Sequence, residues 1–295
     1  MFETWQQAAE VALGQRIVGK HPLSGGDFAT AYRAELADGQ SVFVKTHKNP
    51  PANFFSTEAT GLQWLRESNS VNIPKVLACS DDPPFLVLEW IAVGQGVSSN
   101  SRRGTEEQLG VELAALHRTT RQSFGRQDRR TTGSLGVPNE PQSQWSEFYA
   151  SQRLLPLAEI ASQRKSLSAT DCKALQTVAE NLAQADVPQE PPSLLHGDLW
   201  AGNRLVDSDG RSWLIDPAAH AGHREFDLAM MQLFGGYSQS FFDAYHEAWP
   251  LQPGYRQRVA LHQLAPLTVH AIKFGGSYRS AVHEALEVCQ QLPRK

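Results

Sequence analysis

Asp198 and Asn203, in the run His196-Gly197-Asp198-Leu199-Trp200-Ala201-Gly202-Asn203, put a carboxylate and an amide five positions apart in a short loop. That pair suits transfer of a phosphoryl group to a hydroxyl. The carboxylate orients the acceptor and takes its proton, and the amide oxygen holds a divalent cation beside it. Asn203 is followed by Arg204-Leu205-Val206, the turn residues Asp207-Ser208-Asp209-Gly210, and then Trp213-Leu214-Ile215-Asp216. This is a hairpin pattern, and a tight hairpin returns the chain to its start, which sets Asp216 near Asn203. Asp198 is therefore the candidate catalytic base, and Asn203 and Asp216 are candidate oxygen ligands for Mg2+. A bare Asp-x4-Asn would be no more than two turn residues; the hairpin ending in a second aspartate separates this loop from a surface turn.

Phosphoryl transfer also needs ATP held opposite the loop. Gly25 and Gly26, in Ser24-Gly25-Gly26-Asp27-Phe28 ahead of a strand-like run to Tyr32, would let backbone amides approach the phosphates. No GxxxxGK sequence is present, which disfavours a P-loop. Lys45 closes the strand Ser41-Val42-Phe43-Val44-Lys45, which resembles the Val-Ala-Ile-Lys strand of protein kinases, and that likeness implies that it binds the α- and β-phosphates. Glu58, on the helix that follows, would fix that ammonium. Taken singly, these are a solvated strand-end lysine and a surface glutamate, but their order ahead of the loop favours the paired role. Glu89, Trp90 and Ile91 would present backbone groups to adenine.

The elements that must carry these residues fall into two groups. Asp38-Gly39 signals a hairpin from about Thr30 to Lys45, Phe55 to Leu65 has helical spacing, and Phe85 to Ile91 reads as a buried strand. Residues from Val93 to Gly104 read as a linker. Leu109, Leu113 and Leu116 share one face of a helix ending near His117, 121–143 read as a polar surface loop, and Trp145 to Ser162 and Ala169 to Ala185 read as helices. The expected fold is α+β and bilobal: a β-rich N-terminal nucleotide lobe over 1–91 and an α-rich catalytic and substrate lobe over 92–295.

Composition bounds the partners. The 295 residues carry a net charge of -4, which gives nucleic acid no broad electrostatic reason to bind. No run approaches the length of a membrane span. Cys79, Cys172 and Cys289 are far apart and form no CxxC pair, and Met1-Phe2-Glu3-Thr4-Trp5 lacks a secretory pattern, so a reducing cytoplasm is expected. His220 and His223 have ligand-like spacing with no second pair, so a zinc site is not expected.

With these residues in place, the chain resembles the fructosamine kinase (ketosamine-3-kinase) family, in its bacterial form. Asp198-x4-Asn203 after His196-Gly197 is shared with aminoglycoside and choline kinases, and its Asp-x4-Asn spacing alone with protein kinases, whose fold it implies. Trp200 within that loop, Gly222-His223-Arg224-Glu225-Phe226-Asp227-Leu228-Ala229-Met230 and Phe274-Gly275-Gly276-Ser277-Tyr278 are more particular to fructosamine kinases. Gly197 stands where protein kinases carry an arginine that greets an activation-loop phosphate, so that form of switching is not expected. The resemblance implies ATP- and Mg2+-dependent phosphorylation of a ketosamine 3-hydroxyl, followed by release of the amine, which amounts to deglycation and protein repair. It implies that Asp227, with His196, braces the loop, and that His223 and Glu225 reach the substrate side. Trp200 would stack on the sugar or pin the loop to the core, two readings of equal standing. A protonated ketosamine nitrogen would favour carboxylates at the mouth. The chain departs from the family at Asp128-Arg129-Arg130-Thr131-Thr132 and at His262. The alternatives are a related kinase for another hydroxylated amine, such as an aminoglycoside or choline, and a nucleotide-binding pseudokinase.

Overall fold

The structure is a computed structural model that describes residues 4–24, 29–94, 99–131, 133 and 135–295; side chains are described outside 99–104. The N-terminal elements are α1 (Trp5–Leu13), β1 (Ile17–Leu23), β2 (Thr30–Leu36), β3 (Ser41–Thr46), α2 (Phe54–Glu67), β4 (Val76–Asp81) and β5 (Pro84–Glu89). The strands form an antiparallel sheet in the order β1-β2-β3-β5-β4. β3 alternates, burying Val42 and Val44 against α1, while Lys45 points to the other face of the pleat. Its partner β5 buries four consecutive residues, Phe85 to Leu88, because both faces of that strand are covered. The predicted hairpin is present, with Ala31 opposite Lys45.

The remaining elements are largely helical: α3 (Ser99–His117), α4 (Trp145–Tyr149), a π-helical turn (Ala150–Leu154), α5 (Leu155–Gln163), α6 (Ala169–Asn181), α7 (Glu225–Phe234), α8 (Gln239–Ala248), α9 (Tyr255–Phe274) and α10 (Ser277–Gln290). Four short strands interrupt them: β6 (Ser193–Leu195), β7 (Arg204–Val206), β8 (Ser212–Leu214) and β9 (His220–Gly222). β7 and β8 form the predicted hairpin, and β6 pairs with β9. Among the described residues, no helix is long and apolar enough to cross a membrane.

Two sequence expectations need correction. Ser99 already begins α3, so the helix occupies the end of the expected linker; 95–98 lie outside the described residues. The segment 121–143 is not simply a surface loop. Phe124, Arg126, Val137 and Asn139 are buried in it, and Phe124 and Gly125 bridge to Gln142 and Ala221. Its polar residues read as solvent-facing because a buried, internally paired arginine looks no different from an exposed one in sequence.

One apolar cluster joins the two parts of the chain. Phe55, Leu62 and Leu65 of α2 and Leu86 and Leu88 of β5 pack with Leu109, Leu113 and Leu116 of α3, Leu199 of the loop, and Met231, Phe241 and Tyr245. The sheet and the loop that face each other are therefore anchored on a shared core.

Candidate active site

The loop from His196 to Asn203 is held from behind. Asp227, fully buried in the first turn of α7, accepts from the backbone amides of His196 (2.8 Å) and Gly197 (2.9 Å). His117 stands 3.3 Å from the same carboxylate and 2.8 Å from the Tyr245 hydroxyl, which gives a buried Asp-His-Tyr chain. Those donors keep Asp227 below the ordinary carboxylate value although burial alone would raise it. Asp198 N donates to His196 Nδ1 at 3.3 Å, so His196 carries its proton on Nε2 and donates to Ile215 O at 3.0 Å. Gly197 has φ +79, and a Cβ there would meet Ala218 O at 2.2 Å. The loop passes too close to the segment after Asp216 for any other residue.

Asn203 donates its amide to Asp198 O (2.8 Å) and to Asp198 Oδ2 (3.3 Å). Ile215 N donates to Asn203 O at 3.0 Å, so the hairpin closes as its pattern predicted. Asp216 follows in a left-handed conformation, φ +55, a backbone strain that recurs at functional sites. Across the cleft, Lys45 Nζ donates to Glu58 Oε1 at 2.9 Å and to Asp216 Oδ1 at 2.6 Å. Burial would lower the lysine value, but the two carboxylates outweigh it and raise it. Glu58 is raised, chiefly by burial. Asp198 is pushed up to about 6, first by burial and then by the neighbouring Asp216 charge. A carboxylate with that value is ionised at neutral pH and still able to hold a proton, as a general base requires.

These groups line one cleft of about 720 Å³, together with Leu23, Ala31, Phe43, Leu88, Trp90, Ile91, Leu205 and Ile215. That volume and its apolar wall suit a nucleotide-sized ligand. Glu89 spends its side chain on the Lys75 amide (2.7 Å) and its own amide on Lys75 O (3.0 Å). The backbones of Trp90 and Ile91 have no backbone partner among the described residues and border the cleft. Gly25 and Gly26 lie outside the described residues. Trp200 also lines the cleft, 41% exposed, with its ring over Gly202 and edge-on to Phe234.

The donor set fits a hard cation. Asn203 has committed its amide nitrogen, which leaves Oδ1, and Asp216 has committed Oδ1, which leaves Oδ2. Two such oxygens, with phosphate and water oxygens, suit Mg2+.

His223 and Glu225 do not lie where the sequence placed them. They are 1% and 4% exposed, and neither lines the cleft. Glu225 pairs with Arg258 at 2.6 and 2.9 Å and stands 3.3 Å from His262. Trp145 packs on both His223 and His262. The start of α7 turns inward, so only Asp227 of this segment serves the loop. His223, Glu225 and His262 have ligand atoms within 4.8 Å of one another, but Arg258 already occupies the carboxylate.

Sequence reasoning missed Arg126 and Lys273. Arg126, 1% exposed, forms a two-toothed pair with Asp128 (2.9 Å each), approaches Thr57 O (3.4 Å) and Ala219 O (3.3 Å), and lies over Trp64. It thereby ties α2, which carries Glu58, to the segment after Asp216. Lys273, at the end of α9, lines the cleft with Asp198 and Trp200. Its neighbourhood was visible as Phe274-Gly275-Gly276, but nothing in sequence aims the lysine.

A lysine–glutamate pair on a sheet and helix, facing an Asp-x4-Asn loop and a second aspartate across a nucleotide-sized cleft, defines a protein-kinase-like phosphotransferase with a hydroxyl acceptor. The family model described as fructosamine kinase matches residues 1–292, and the chain belongs to that family. A Synechocystis protein named probable ketoamine kinase is 32% identical over 99% of this chain and 97% of its own length. The chloroplastic protein-ribulosamine 3-kinase of Oryza sativa subsp. indica is 31% identical, over 92% of this chain and 79% of its own. A crystal structure assigned as a fructosamine-3-kinase of Thermobifida fusca superposes with a TM-score of 0.88 at 35% identity, covering 99% of this chain and all of that one.

Proposed function

We propose that this chain transfers the γ-phosphoryl group of ATP to the 3-hydroxyl of a ketosamine, with Asp198 as the base and Asn203 and Asp216 as the ligands of Mg2+. The observation that carries this reading is the convergence of Lys45, Glu58, Asp198, Asn203 and Asp216 on one cleft. Adenine lies in the apolar slot beside Trp90 and Ile91, where backbone groups are free to pair with its edge. Lys45, steadied by Glu58, holds the α- and β-phosphates. Asp198 accepts a hydrogen bond from the acceptor hydroxyl and takes its proton as the bond to phosphorus forms. Mg2+ would neutralise charge on the phosphates when bound. Trp200, half-open and supported from behind, offers a flat face for the C–H side of the sugar.

The test is ADP release from Mg-ATP across a panel of fructosyl and ribulosyl amines, an aminoglycoside and choline. Turnover confined to the ketosamines supports the reading. Turnover of the aminoglycoside or choline instead supports a related kinase, and no ADP with any acceptor supports a pseudokinase.

A further inference from the structure

A ketosamine nitrogen is a secondary amine that carries a proton at neutral pH, and a cleft built for that cation alone would bring carboxylates to its mouth. Among the described residues, the carboxylates lining the cleft are Glu58, Glu89, Asp198 and Asp216, and each already accepts a hydrogen bond, from Lys45, the Lys75 amide or Asn203. Glu225 is withdrawn into the core onto Arg258, and the charged side chain that lines the acceptor end beside Asp198 and Trp200 is Lys273. The other cations lining the cleft are committed, Lys45 to Glu58 and Asp216 and Arg126 to Asp128. Lys273 makes no hydrogen bond or ion pair with a described residue, and its position is exposed. Beside it, outside the cleft lining, is an aromatic cluster. Phe234 and Tyr278 pack on His270, and Phe274 follows at 54% exposed.

An unpaired ammonium next to the catalytic carboxylate repels a substrate that offers only a protonated amine at that point. It attracts one whose amine bears a carboxylate on the adjacent carbon, because that part of the molecule is then a zwitterion. Resting on the ketosamine reading above, we propose that Lys273 forms a carboxylate subsite, so that the preferred acceptors are ketosamines of free α-amino acids, with the α-carboxylate on Lys273 and the amino-acid side chain along the Phe274 cluster. In a glycated protein lysine the modified nitrogen has no neighbouring carboxylate, and such substrates would be poorer by the loss of one charge-assisted contact.

Two other roles for Lys273 are separable from this one. A cation in the last turn of α9 complements the helix dipole, and that role affects stability without discriminating between acceptors. A contact to the transferred phosphoryl group would serve every acceptor equally.

The experiment compares N-ribulosylglycine with N-ribulosylglycinamide, and the fructosyl pair, as acceptors by ADP release. The two members of each pair differ in the carboxylate and, through it, in the basicity of the amine, so the ratio is compared between wild type and the Lys273 variants at one pH, where the contribution of the amine cancels. Wild-type kcat/KM is expected to favour the acid by about 10- to 100-fold, the range of a charge-assisted hydrogen bond. Lys273→Met brings the ratio toward one, and Lys273→Glu inverts it in favour of the amide. Equal wild-type turnover of acid and amide overturns the subsite while leaving the ketosamine kinase reading intact. An equal fall of both acceptors in Lys273→Met with the ratio preserved also overturns it and points to the phosphoryl group. Turnover of neither acceptor by wild type removes the ketosamine reading and the subsite with it.

Discussion

Asp198→Asn should cost the enzyme its activity and make it more stable at neutral pH. The carboxyl sits at about 6 in the folded chain against an ordinary 3.8, because burial and the Asp216 charge both oppose its ionisation. A shift of roughly two units corresponds to about 3 kcal/mol, and the water that reaches a partly exposed carboxyl reduces this to about 1–2 kcal/mol. The sign follows from the direction. The folded state disfavours the ionised acid, so the penalty is fully present above pH 6, shrinks as pH falls through 6, and is gone below the ordinary value. An asparagine is isosteric, keeps an oxygen to accept from Asn203, and carries no penalty at any pH. Thermal melts should therefore place Asp198→Asn about 2–4 °C above wild type at pH 7.5, with the difference vanishing near pH 4. Turnover should fall 10²- to 10⁴-fold on the same preparation, the usual loss on removing a general base. Wild-type kcat/KM should lose about tenfold per pH unit below 6, since only the ionised base is competent. A variant that melts at or below wild type at pH 7.5, or retains a tenth of the turnover, would refute the assignment of a strained base at this position.

Arg126→Ala should raise the KM for ATP by about tenfold and leave the acceptor KM little changed, because it unties α2 and Glu58 from the segment after Asp216; steady-state kinetics with each substrate varied checks this. The same change leaves Asp128 with Arg130 alone, empties the buried space of the guanidinium and should destabilise the fold by about 1–3 kcal/mol in denaturant melts. Glu225→Gln should lower stability by about 3–5 kcal/mol through the stranded Arg258, with acceptor KM unchanged in the folded protein, since the side chain does not border the cleft. The Glu225 carboxyl is held at about 2 by Arg258 and His262 against the pull of burial. Its contribution is therefore full above the ordinary 4.5 and lost as pH falls toward 2, and the wild-type and variant melting curves should converge only in that acid range.

The parts of the site that were legible in the sequence are those whose geometry is local. Five residues fix the span from Asp198 to Asn203, and a turn of fixed length fixes Asp216, so the chain has little freedom to put these groups elsewhere. Lys45 and Glu58 were legible from their order, a strand-end lysine followed by a helix glutamate ahead of the loop, and the structure pairs them at 2.9 Å. Illegible were the groups whose direction depends on distant partners. Glu225 and Asp227 are two positions apart on α7, yet Asp227 meets the loop amides while Glu225 meets Arg258 of α9. Two residues on a helix lie about 200° apart, so one segment can serve the loop with one carboxylate and the core with another, and only the placement of α9 decides which. Arg126 and Lys273 failed for a related reason: Arg126 reaches Thr57 O and Ala219 O, and Lys273 meets the cleft, only through the packing of segments remote in number.

The resting arrangement bears on how substrate enters. Lys45 and Asp216, on opposite sides of the cleft, lie 2.6 Å apart and neutralise one another. Left unpaired in a partly buried cleft, each would carry a desolvation cost, so the bond holds the two sides together before ATP arrives. On the proposed roles, phosphate would take the lysine only as the aspartate gained another cation, and Glu58 would keep the ammonium in place during that exchange. ATP lacking a divalent cation would have to break the bond and leave Asp216 facing the phosphates as a like charge. Productive nucleotide binding should therefore be coupled to the metal through Lys45 itself.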